Sequence, residues 1–78
     1  MNVFEEFQAV PNELLTGAQI RKKEKMAAVV SDYNELKEKY GDNSVLSINR
    51  ICEILAKRHD IAVRTARYYL VNAELIKS

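Results

Sequence analysis

Between Thr16 and Gly41, apolar side chains recur at Ile20, Met26, Val29, Val30, Tyr33, Leu36 and Tyr40. Spacings of three and four put these residues on one stripe of a helix. Thr16 followed by Gln19 is a T-x-x-Q capping box, in which two orphan backbone donors at a helix start are satisfied by side chains. Gly41 stands where a left-handed C-cap is wanted. The pattern therefore predicts a long helix over 17–40. Its apolar stripe needs cover, and the rest of a 78-residue chain is the nearest source of it.

Shorter helices follow. After a predicted loop at 41–46, Ser47 is placed to cap a helix running to about Arg58, with Ile48, Ile51, Cys52, Leu55 and Ala56 on one face. A third helix is predicted over 63–72, with Leu75 and Ile76 closing back on the core. Residues 1–15 are more weakly patterned. Val3, Phe4, Phe7, Val10, Leu14 and Leu15 surround Pro11, which predicts a short helical turn on either side, because proline suits a first turn and not a helix interior. The expectation is one helical domain, 1–78, without internal repeats.

Composition narrows the function classes. With 47% apolar and 29% charged residues, the chain can form a core and is not of the disordered type. No apolar run approaches the ~18 residues of a membrane span, and Met1–Phe7 has neither a basic start nor an apolar core of a signal peptide. Cys52 is the one cysteine; it cannot pair internally and is expected as a small core residue. These features point to a cytoplasmic protein. An enzyme is not expected: His59 is the sole histidine, there is no Cys–His cluster for zinc, and no glycine-rich loop for phosphate. No metal, cofactor, small-molecule ligand or membrane partner is expected. His59 falls in the joint between two helices, where a partly buried structural role is the expectation.

Charge is unevenly spread although the total is only +1. Residues 1–20 hold Glu5, Glu6 and Glu13 and no base. Residues 48–78 hold Arg50, Lys57, Arg58, Arg64, Arg67 and Lys77 against Glu53, Asp60 and Glu74. A further basic run, Arg21-Lys22-Lys23 with Lys25, opens the long helix. Charge alone describes a solvated helix face as well as a binding face, so the reading turns on a motif in the same place.

That motif is Cys52 to Val71. Two short helices joined by a tight turn need a small residue where they touch, supplied by Ala56. The turn needs a residue tolerant of unusual backbone angles, supplied by Asp60. A buried aliphatic follows, Ile61, and then small Ala66 with Tyr69 and Leu70 a turn later. Here the sequence resembles the bacterial and phage helix-turn-helix family, whose pattern runs leu-ala, three variable, gly, val, ser, two variable, thr, val. This chain reads Leu55-Ala56, Lys57-Arg58-His59, Asp60, Ile61, Ala62, Val63-Arg64, Thr65, Ala66. Asp60 replaces the usual glycine, and Ala62 replaces the usual Ser or Thr cap; alanine is a poor N-cap, so the next helix is expected to start frayed or to be capped from elsewhere. Tyr69–Ile76 is similar to the end of the recognition helix in winged-helix proteins. The chain stops at Ser78, so a wingless or truncated winged-helix type is the expectation.

The resemblance implies an all-α fold: a three-helix helix-turn-helix core, with the motif at 47–72, and an extra short N-terminal helical segment. It implies double-stranded DNA as partner and 63–72 as the recognition helix, whose N-terminal half meets base edges in the major groove. Carried over by position, Ala62, Val63, Arg64, Arg67, Tyr68 and Val71 face outward. Arg64 or Arg67 would read guanine, Thr65 and Tyr68 would reach phosphate, and Arg50, Lys57 and Arg58 would grip the backbone. A small transcription regulator or a phage or mobile-element accessory protein is the implied role. The alternative is a protein-interaction module that uses the same helix pair as a scaffold. A homodimer is a candidate assembly, through the 20–40 stripe or the Phe4/Phe7 segment, unless the chain's own core consumes both.

Overall fold

The capping box forms: the Thr16 N–H donates to Gln19 Oε1 at 2.9 Å and the Gln19 N–H to Thr16 Oγ1 at 3.2 Å. The helix it opens is one of four in a computed structural model that describes residues 2–40 and 47–77. These are α1 (Val3–Ala9), α2 (Gly17–Tyr40), α3 (Ile48–His59) and α4 (Val63–Asn72), with a 3-10 turn at Asn12–Leu14 after Pro11. The protein is all-α; no strand occurs among the described residues. The expected Gly41 cap and the 41–46 loop lie outside the described residues. No helix among the described residues is long and apolar enough to cross a membrane.

α1 starts on a cap. Asn2 Oδ1 accepts the Glu5 N–H at 2.8 Å, and the same side chain donates from Nδ2 to the Ala73 carbonyl at 3.1 Å. One asparagine thus caps its own helix and fastens it to the end of α4. Gln8 Nε2 donates to the Lys23 carbonyl at 2.9 Å and Lys23 Nζ to the Val10 carbonyl at 2.7 Å, which hold α1 along α2. Phe4 and Phe7 pack partly buried against the core.

α3 begins with Ser47 Oγ accepting the Arg50 N–H at 3.1 Å. It ends at Asp60 in the left-handed region, φ 54 and ψ 50. In that conformation the N–H groups of Asp60 and Ile61 both donate to the Ala56 carbonyl, the latter at 3.0 Å. The chain reverses in three residues and enters α4. Ala62 stands at its N-cap with no side-chain bond, so the start of α4 is uncapped. α4 ends in a second left-handed residue, Glu74 at φ 58, and Leu75 and Ile76 fold back onto the core.

The core joins three helices. α2 contributes Met26, Val29, Tyr33 and Leu36; α3 contributes Ile51, Cys52, Leu55 and Ala56; α4 contributes Ala66, Tyr69 and Leu70. Leu55 and Leu70 are fully buried, and burial of each stabilises the fold by about 1.5–3 kcal/mol. α3 and α4 pack on each other with their alanines, Ala56 and Ala66, both buried.

A left-handed backbone costs a β-carbon-bearing residue about 1–2 kcal/mol, partly offset in glycine by its larger entropy loss on folding. Asp60→Gly is therefore expected to raise stability by up to about 1 kcal/mol, and Asp60→Val to lower it. Urea unfolding of the two variants checks the sign of each.

Candidate nucleic-acid interface

The buried side of α4 is Ala66, Tyr69 and Leu70, which determines what its other side presents. Arg64 and Tyr68, four residues apart, share one exposed stripe, and half-buried Val71 continues it. Val63 lies exposed at the helix start. Arg64 forms no hydrogen bond or ion pair among the described residues. Thr65 and Arg67 flank the stripe on opposite sides, both half-buried.

Arg67 is engaged. Its Nη2 donates to Asn49 Oδ1 in the first turn of α3. This bond sets the N-terminal end of α3 beside the middle of α4; Arg50 is exposed on the same first turn of α3. Arg50 is 3.9 Å from Glu53, an exposed pair worth about 0–1 kcal/mol that yields readily to another anion. Lys57 is exposed and has no ion pair among the described residues.

Arg58 is exposed but paired. Its Nη1 donates to Asp32 Oδ1 of α2 at 2.8 Å, while the other Asp32 oxygen meets His59 Nε2 at 3.0 Å. Lys25 Nζ donates to the His59 carbonyl at 2.8 Å, which satisfies an orphan acceptor at the negative end of α3. α2 therefore clamps the last turn of α3. His59 is half-buried in a structural arrangement, and Asp32, its partner from another element, was not singled out from sequence. No local pattern would have flagged it, since it is 27 residues away.

Cys52 is fully buried. Burial pushes its thiol above the ordinary value, and the charge of Arg67 pulls it partly back. The thiol is thus protonated at neutral pH. Among the described residues no group of three or more His, Cys, Asp or Glu could hold a metal ion.

Among the described residues there are surface hollows that the sequence had not indicated. An open groove of about 400 Å³ runs between α1, α2 and α4, with Phe7, Lys22 and Tyr68 among its walls. A second, of about 370 Å³, lies between Arg21, Lys25 and His59.

The geometry thus brings together Arg64, Tyr68 and Val71 on one face, with Arg67 and Thr65 at its edges and Val63 exposed at the helix start; Arg50 and Lys57 are exposed on α3, and Arg58 is exposed but paired with Asp32. No protein-family model, no curated protein and no solved structure matches the chain.

Two outcomes are expected. Asp32→Ala should lower stability by about 1–3 kcal/mol, the range for losing hydrogen bonds to charged groups, with Asp32→Asn losing less in the same urea titration. Cys52 should resist a thiol reagent in the native protein and react at once in denaturant; fast native labelling would show the core to be open.

Proposed function

We propose that this chain is a DNA-binding protein of helix-turn-helix type that lays α4 in the major groove, acting in the cytoplasm as a small transcription regulator or an accessory protein of a phage or mobile element. The observation that carries the reading is Arg64. It is exposed and unpaired among the described residues, on a helix whose opposite side is sealed into the core. A guanidinium in that setting matches the O6 and N7 edge of guanine through two hydrogen bonds, worth roughly 1–3 kcal/mol of discrimination.

Two further features support it. The start of α4 has no side-chain cap, so its first N–H groups are left for a phosphate, which a helix N-terminus favours. Arg50 and Lys57 are exposed and suit backbone contacts. Arg67, held by Asn49, orients the first turn of α3 against α4 and is the weaker base reader. The second reading, a protein-interaction scaffold without duplex affinity, draws on Arg58 and Arg67 being bonded within the chain.

The test is fluorescence anisotropy with a labelled duplex at low and moderate salt, followed by selection of a preferred sequence. Affinity is expected to fall as a power of salt concentration. Lys57→Ala should reduce the log–log slope by about one for all sequences. Arg64→Ala should reduce the preference for the selected site by roughly 5–150-fold, which is what 1–3 kcal/mol implies. Absence of binding at low salt would sink the reading in favour of the scaffold.

A further inference from the structure

We propose that the groove between α1, α2 and α4 is the docking surface for a second copy of this chain, forming a two-fold symmetric dimer. A two-fold interface uses the same patch on both copies, so the patch must be complementary to itself. This one is. Its apolar lining is buried Met26, half-buried Phe7 and Val10, and Val3 and Tyr68, exposed by 57% and 54%, with the amides of Gln19 and Asn72 between them. Its rim carries one carboxylate, Glu6, and one ammonium, Lys22, the latter 6.0 Å from the Phe7 ring centroid. Two-fold rotation can set Glu6 of each copy against Lys22 of the other, whereas a rim of one sign would repel its own copy. With a net charge of +1, little long-range repulsion opposes the approach.

Duplex is the wrong occupant here. Glu5 and Glu6 lie exposed on α1 and repel phosphate. α1 is also fastened at both ends, by Asn2 to the Ala73 carbonyl and by Gln8 to the Lys23 carbonyl, so its outer side is presented as a fixed surface.

Tyr68 and Asn72 of α4 also line the groove, so pairing here brings the two α4 helices to the seam and, on the proposed duplex binding, places Tyr68 at the border of both surfaces.

Sedimentation equilibrium of the whole chain over a wide concentration range is the test, with circular dichroism to check folding. Glu6 and Lys22 are both exposed, so substitutions there leave the core intact. The wild type is expected to dimerise. Glu6→Lys and Lys22→Glu should each weaken the dimer about tenfold or more, since two ion pairs become like-charge contacts, about 1.4 kcal/mol. The double variant Glu6→Lys/Lys22→Glu should restore it. A monomer at every concentration overturns the proposal and leaves the groove to a different protein. A dimer indifferent to both charge changes overturns it too. A charge-sensitive dimer without duplex affinity upholds the proposal and sinks the DNA reading; a monomer that binds duplex does the reverse.

Discussion

The fold depends on one backbone oxygen. The Ala56 carbonyl takes the N–H groups of both Asp60 and Ile61, and this is available only because Asp60 adopts a left-handed conformation. The double acceptance ends α3 and turns the chain before a further helical turn can form. α4 is thereby obliged to start within three residues and to pack back on α3. Small side chains suit such a close pair, and Ala56 and Ala66 are both buried in it. Once Ala66, Tyr69 and Leu70 are sealed inward, the outward stripe of Arg64 and Tyr68 follows from helical geometry alone.

α2 converts this pair into a body. Its apolar stripe supplies Met26, Val29, Tyr33 and Leu36 to the core, but its polar residues do the aligning. Lys25 and Asp32 both address the last turn of α3, one through the His59 carbonyl and the other through the side chains of Arg58 and His59. Apolar packing tolerates sliding, since dispersion and burial are not directional. Hydrogen bonds to a helix end do not, because they are lost when the helix shifts by a residue. The clamp fixes where α3 stops relative to α2, and through the Asp60 turn it fixes where α4 begins.

What was legible in the sequence was local. The Thr16/Gln19 box, the Ser47 cap and the turn at Asp60 each involve residues within a few positions, and each formed. Periodicity correctly marked the inward side of α2, though Tyr40 is exposed and Ile20 only half-buried. A helix of 24 residues is about 36 Å long, twice the length of α3, so its stripe overruns the pair it packs on. The Asn2 cap escaped notice although Glu5 follows it by three positions. The long-range polar contacts were not legible at all. Asn2 with Ala73, Asp32 with His59 and Asn49 with Arg67 are 71, 27 and 18 residues apart. A hydrophobic pattern says which side of a helix is dry, not which neighbour stands beside its wet side. That is why Arg58 and Arg67 read as free cations in sequence and prove to be committed in the fold.

The same contacts give the uneven charge a geometric meaning. The two flanks of the α4 stripe differ. On one side Arg67 meets Asn49 of α3. On the other, Tyr68 and Asn72 border the groove that Glu6 of α1 shares. On the proposed reading a phosphate backbone is attracted on the α3 flank and repelled on the α1 flank, so it can run along only one of them. On that reading a near-neutral chain gains an orientation that a uniformly basic one would lack, because the acidic N-terminal segment disfavours one of the two ways of laying α4 against a strand. The total charge is a poor guide to binding in such a molecule. What matters is that Asn2 holds the acidic helix beside α4 by its bond to the Ala73 carbonyl, so that attraction and repulsion fall on opposite sides of the same arginine.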